Sequence, residues 1–222
     1  MNAAAYTAVD KAENELEKAH SVNVTGAKNI AEVCNEYNVV LVHISTDFVF
    51  DGSKNIPYTE DDVPNPKSVY GKTKLEGENE IRNIAEKYFI IRTSWVYSQF
   101  GNNFMKTMIR LGNERNSLSV VNDQKGTPTH AVDLANVLII IILSRNTNYG
   151  IYNYSNEGSC TWYEFAKEIF RINKINVTIH PITTSAYPTP ALRPKYSVLD
   201  KDKIKKIFDL KIPLWKDSLG KN

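Results

Sequence analysis

The run Val39-Val40-Leu41-Val42-His43-Ile44, closed by Ser45-Thr46-Asp47, limits what this chain can fold into more than any other stretch. Six such residues are too few for a helix and too apolar for a loop, so they read as a strand buried on both faces. A long polar loop with Gly52, Pro57, Pro64 and Pro66 follows, and Tyr70-Gly71-Lys72-Thr73-Lys74 then opens a charged helix. Long loops without structure of their own are uncommon unless they serve function. A hydroxyl and a carboxylate at a strand end, then Tyr and Lys one turn apart, suggest a proton-transfer site.

The same alternation runs through the chain. Helical patterns cover 10–20 and 24–37 ahead of the strand, and the charged helix extends through Ile84. A second buried strand spans 88–93, a helix 104–111, and a short strand 118–121. Helix 131–144, strand 151–154 and helix 162–172 follow. Strands separated by helices of this length predict βαβ units and an α/β fold with a mostly parallel sheet. From 177 onward a strand-like stretch, a Pro-rich segment at 181–194 and Lys/Asp-rich helix pieces read as part of a smaller lobe. Residues 1–10 look like the end of a strand and the turn after it, with no apolar run ahead to supply the rest.

A net charge of +2 is too small to imply nucleic acid or an anionic membrane as partner. The longest apolar run, 137–143, falls far short of the ~20 residues that span a bilayer. Without a signal-peptide pattern, a soluble cytoplasmic protein is expected. Cys34 and Cys160 share no metal-ligand spacing with His20, His43, His130 or His180, so no metal site is predicted and reduced thiols are the default.

In open parallel sheets the ligand lies beyond the carboxyl ends of the strands. Four such ends, at 4–7, 45–47, 93–97 and 122–129, are polar or small and together describe one crevice. With 12 tyrosines in a lysine-rich chain, roughly one Tyr-x-x-x-Lys spacing arises by chance. Tyr163…Lys167 sits inside an amphipathic pattern and reads as ordinary helix. Tyr70…Lys74 follows a strand end with a hydroxyl. On a helix the pair shares a face, so an ammonium at Lys74 is expected near the Tyr70 phenol, where it would favour phenolate.

These residues resemble a known family. Segments 2–10, 45–52 and 70–78 are similar to dTDP-4-dehydrorhamnose reductases, which are extended short-chain dehydrogenase/reductases. So are Arg92-Thr93-Ser94-Trp95-Val96-Tyr97, Gly101-Asn102-Asn103-Phe104 and Asp123-Gln124-x-Gly126-Thr127-Pro128-Thr129. The resemblance runs from the first residue to about Trp215. It implies a Rossmann-like sheet with a smaller C-terminal α/β substrate-binding lobe. It also implies reduction of the C4 ketone of dTDP-4-dehydro-L-rhamnose, or a similar nucleotide sugar, by NADPH or NADH. Residues 1–97 would be the remainder of the NAD(P)-binding domain and 98–222 mainly the sugar-nucleotide lobe, with 131–155 returning to the sheet.

By the same resemblance Tyr70 would donate the proton, Lys74 would orient the nicotinamide ribose, and Thr46 would hydrogen-bond the sugar with Asp47 beside it. Trp95 would touch the sugar nucleotide, Ala5, Tyr6 and Thr7 would border the cofactor, and Asn103, Gln124, Thr127 and Arg193 would line the substrate side. The resemblance leaves a homodimer open and gives no metal ligands.

One requirement of the family is missing. Its members open on a strand and a G-x-x-G-x-x-G turn that holds the cofactor pyrophosphate, and this sequence contains no such motif. The sheet is therefore expected to lack its first strands and to expose an apolar edge and face. Two readings stand beside each other: a reductase fragment, with its catalytic residues intact, or a non-catalytic binding and regulatory relative. A reductase of another nucleotide-4-ketohexose is a third.

Overall fold

The computed structural model describes residues 1–221. Two short helices, α1 (Val9–Ala12) and α2 (Leu16–His20), lead through a π-helical turn at Ser21–Thr25 into α3 (Gly26–Glu36). Strand β1 (Leu41–Thr46) runs into a 3-10 turn at Asp47–Val49, and after the long loop comes α4 (Val69–Ile84). Then follow β2 (Tyr88–Thr93), β3 (Val96–Tyr97), α5 (Phe104–Glu114), β4 (Ser117–Val121), β5 (Lys125–Gly126) and β6 (Thr129–His130). The rest is α6 (Ala131–Leu143), β7 (Gly150–Asn153), β8 (Cys160–Thr161), α7 (Trp162–Ile172), β9 (Thr178–Ile182), α8 (Asp202–Phe208) and α9 (Trp215–Leu219).

β1, β2 and β7 form a parallel sheet in that order, and Asn2 continues it beyond β1, its N–H donating to the Val42 carbonyl at 2.7 Å. The sheet is covered on both faces. Leu41 and Ile90 meet Ala27 and Ala31 of α3 and Ile81 of α4. Val42, Phe89 and Ile91 meet Leu134, Val137, Leu138 and Ile141 of α6. The even–odd alternation along β1 and β2 sends successive side chains to opposite cores. Burying each large apolar side chain there contributes about 1.5–3 kcal/mol.

β1 starts two residues later than its apolar run. Val39 and Val40 are exposed, because α3 ends on Asn38 in the left-handed region (φ 54°) and the Val39 N–H closes back on the Cys34 carbonyl. Capping geometry takes up those two residues. The strand at 118–121 also sits elsewhere than the alternation suggests. β4 pairs in parallel with β9 as a separate two-stranded sheet, over a core of Met105, Met108, Phe165, Ile169, Phe170 and Trp215. Its carboxyl end is therefore not an end of the main sheet.

A strap ties the two parts together. Pro194 packs on Gly52, Tyr196 bridges to Lys125, the Ser197 N–H donates to the Lys125 carbonyl, and Leu199 bridges to Tyr58. Among the described residues no helix is long and apolar enough to cross a membrane, and no three His, Cys, Asp or Glu side chains converge on a common point. Both cysteines are free thiols.

Candidate active site

Helix α4 presents Tyr70, Lys74 and Glu78, four residues apart, to the carboxyl end of the sheet. Its start is fixed by Ser68, whose hydroxyl caps the Gly71 N–H at 3.1 Å. Gly71 lets the helix approach closely: a Cβ there would stand 2.3 Å from the Phe48 carbonyl oxygen. That contact brings Tyr70 to the corner where β1 ends.

At that corner Thr46 donates to Asp47 Oδ1 at 3.1 Å and accepts from the Phe48 N–H at 3.2 Å. Asp47 is buried, and its Oδ2 has no hydrogen-bond partner. Burial raises its carboxyl to about 6, against the opposing pull of the Ser197 and Thr46 hydroxyls. The Tyr70 phenol is pushed up to about 12, first by desolvation and then by Asp47, with Thr46 lowering it in part. At neutral pH the phenol is protonated.

Lys74 lies a turn further in, 1% exposed. Its Nζ donates to the Ile44 carbonyl at 2.7 Å and sits 3.2 Å from His43 Nε2. Desolvation draws it down to about 8, while Glu78 pulls the other way. The expectation that Lys74 favours the Tyr70 phenolate is not met in this ligand-free arrangement, because the amine points at β1 and the phenol's shift comes from other groups. Glu78 is clamped by the Ser45 hydroxyl at 2.5 Å and by Arg92 Nη2 at 2.7 Å, an ion pair with both side chains almost wholly buried. His43, Ser45, Glu78 and Arg92 stand outside the motif, and only the helix-on-sheet packing reveals them.

Asn23 is a further residue that sequence reasoning misses. From the π-helical turn it accepts from the Tyr6 N–H at 2.8 Å and donates to Thr73 Oγ1 at 3.0 Å, holding the 4–7 segment beside α4. Such turns inside helices recur at functional sites. Nothing in the periodicity marks it, since a buried Asn breaks no pattern. Tyr6 also donates its phenol to Glu15 at 3.0 Å, while Ala5 is half-buried and Thr7 exposed.

The other expected residues divide. Trp95, with φ 47°, stacks flat on Trp162 with ring centroids 3.5 Å apart, and Gly126 leaves room for its ring. Left-handed backbone in a bulky residue is costly and marks a position held for a purpose. Gln124 joins this group, accepting from Trp162 Nε1 at 3.1 Å. Asn103 instead caps α5 through the Lys106 N–H, and Thr127 donates to the Gly158 carbonyl, so both are engaged in holding the fold. Arg193 pairs with Asp10 at 2.7 Å, which holds that carboxyl below its usual range.

The profile of the RmlD substrate binding domain matches residues 1–222. The dTDP-4-dehydrorhamnose reductase of Salmonella typhimurium is 46% identical over 97% of this chain and 75% of its own length. A crystal structure of a dTDP-4-dehydrorhamnose reductase from Clostridium acetobutylicum superposes with a TM-score of 0.96 at 48% identity, covering 99% of this chain and 78% of that one. The Bacillus anthracis dTDP-4-dehydrorhamnose reductase, solved in complex with NADP, gives 0.94 at 44% identity over 99% of this chain and 77% of that one.

Proposed function

Because the chain belongs to the RmlD family of dTDP-4-dehydrorhamnose reductases, we propose that it supplies the proton-donating, sugar-nucleotide-binding part of an NADPH- or NADH-dependent ketoreductase. The substrate is dTDP-4-dehydro-L-rhamnose and the product dTDP-L-rhamnose. The observation that carries this is the Tyr70 phenol, protonated and set against Thr46 and Asp47 at a strand end, with Lys74 one turn below.

Reduction of a C4 ketone places negative charge on its oxygen. Tyr70 gives that oxygen a proton, a role worth roughly 10²–10⁴-fold. Thr46 turns its hydroxyl from Asp47 to the same oxygen and stabilises the developing charge. Asp47, whose Oδ2 has no partner in the ligand-free chain, then takes a sugar hydroxyl. Trp95 offers a flat apolar face to the sugar nucleotide, and Arg193 offers its guanidinium to the diphosphate once Asp10 yields it.

The donor set present fits the nicotinamide end of the cofactor. The Tyr70 hydroxyl and Lys74 amine would hold the ribose, and the bound cofactor would supply the hydride, which no side chain can. The sequence offers no Gly-rich turn for the pyrophosphate. Calorimetry is expected to show dTDP binding to this chain and little NADPH binding. In a turnover-competent reductase carrying these residues, Tyr70→Phe is expected to lower turnover at least ~10²-fold. Near-normal turnover removes Tyr70 as the acid, and no heat with dTDP removes the sugar-nucleotide assignment.

A further inference from the structure

His43 is 1% exposed and lies directly beneath Lys74. Its two ring nitrogens have different partners. Nδ1 is 3.0 Å from Asn2 Nδ2, and Nε2 is 3.2 Å from Lys74 Nζ. The Asn2 amide has its orientation set from the other side, because its Oδ1 accepts from the Ala4 N–H at 3.1 Å. Its NH₂ group therefore faces the imidazole, and Nδ1 must be the acceptor.

A neutral imidazole has one N–H, so the proton sits on Nε2 and points at Lys74. An ammonium has three N–H donors and no lone pair, so it would meet Nε2–H donor against donor. An amine resolves the conflict. Its lone pair accepts from Nε2–H while one of its own N–H groups donates to the Ile44 carbonyl at 2.7 Å. Protonating the ring instead would place two cations together in a buried site, and desolvation with Lys74 close by holds His43 down at about 3.

We propose that His43, oriented by Asn2, is a positioning residue that favours the amine form of Lys74 in the ligand-free site and passes it a proton when the ammonium is needed. The step balances with one proton from solvent. Nζ takes the proton from Nε2, Nδ1 takes the incoming one, and the Asn2 amide turns over so that its oxygen accepts from Nδ1–H. The ring stays neutral throughout, and the charge appears only on Lys74.

The charged and titratable groups around Lys74 are few. They are His43 on β1, Tyr70 and Glu78 a turn away on either side along α4, and Arg92 on β2, already paired to Glu78. Glu78 favours the ammonium, but its charge is divided with Arg92 and Ser45. His43 is the group in direct contact, and it therefore decides the amine's hydrogen bonding.

The tautomer assignment rests on the contacts of His43 with Asn2 and Lys74, and its consequence for turnover rests on the reductase reading. Nuclear magnetic resonance on the whole chain, with ¹⁵N-labelled histidine and lysine, separates the two. Spectra of His43→Gln and Lys74→Met assign the signals. The expected result is a Lys74 Nζ that titrates near pH 8, with His43 carrying its proton on Nε2 above that pH and on Nδ1 below it. Native His43 still protonated on Nδ1 above about pH 9, or an ammonium at Lys74 persisting to about pH 10, overturns the proposal.

Asn2→Asp should move the ring proton to Nδ1, expose Nε2 as an acceptor and raise the Lys74 titration by about one pH unit or more. Should that variant not fold, Asn2→Ala should give a mixture of tautomers; a native-like tautomer in it counts against Asn2. In a turnover-competent reductase, the pH profile of kcat should move with Lys74 in Asn2→Asp. A fixed profile with a moved tautomer overturns the positioning role. Loss of reduction in every protein, native included, bears on the reductase reading only.

Discussion

His43 on β1 and Asp47 in the turn after it lie four residues apart, and burial drives their titrations in opposite directions. The Asp47 carboxyl is raised from 3.8 to about 6, so the folded chain holds that proton more tightly than the unfolded one. Its contribution to stability is full at low pH and is lost as pH rises from about 4 through 6. The change is of order 3 kcal/mol. His43 is depressed from 6.5 to about 3, so its contribution is present above 6.5 and is lost as pH falls toward 3. Asp47→Asn isolates one of the two. Urea midpoints measured between about pH 4 and 8 should show the variant gaining on the native chain as pH rises through 6. A constant difference across that range would mean that Asp47 is already ionised in the folded state.

Part of this corner is legible in the sequence and part is not. Thr46, Asp47, Tyr70 and Lys74 stand out because strand end, loop and helix start are close in the chain. Asn2 and Asn23 reach the same place across 41 and 50 residues, to His43 and Thr73. No local pattern encodes that.

At the scale of the element, α4 is held by polar contacts on the face where an ordinary amphipathic helix would place Leu or Ile. Glu78 is 0% exposed and Arg92 2% exposed. Such a pair fixes register more than it stabilises, because both ions are taken from water and Arg92 Nη1 is left without a partner. Glu78→Gln, which strands the Arg92 charge, is expected to cost about 3–5 kcal/mol in chemical unfolding. Replacing both residues with Met should restore most of that stability while lowering turnover in the reductase, since Tyr70 would lose its fixed depth. Full turnover in the double variant would show that apolar packing alone can set the helix. The starts of α6 and α7 fell where the sequence placed them; Thr161 caps α7 in a reciprocal pair with Glu164, while His130 gives α6 no side-chain cap. β1 slipped by two residues because a left-handed Asn38 is a turn signal that apolar runs conceal.

Across the whole molecule, the alternation of strand and helix predicted a parallel sheet, and β1, β2 and β7 form one. It could not predict that β4 would leave that sheet for β9, since a five-residue strand reads alike in either place. One surface feature belongs to this scale. α6 is apolar nearly all round, so after packing Leu134, Val137 and Ile141 inward it leaves Val132, Ile139 and Ile142 outward and Leu143 at 73% exposure. A stripe of this kind favours association. Sedimentation velocity is expected to show concentration-dependent self-association of the chain, reduced in Ile139→Lys/Ile142→Glu with little change in unfolding midpoint. A monomer at every concentration would show that the stripe is tolerated in water.

The stacked indoles of Trp95 and Trp162 have a use beyond binding. Two transition dipoles at 3.5 Å must couple, so this protein should carry an exciton signature in its circular dichroism, with Trp215 as the third indole. Any molecule that slides against Trp95 alters that coupling. The chain thus brings its own optical gauge of occupancy, readable without a label and without turnover.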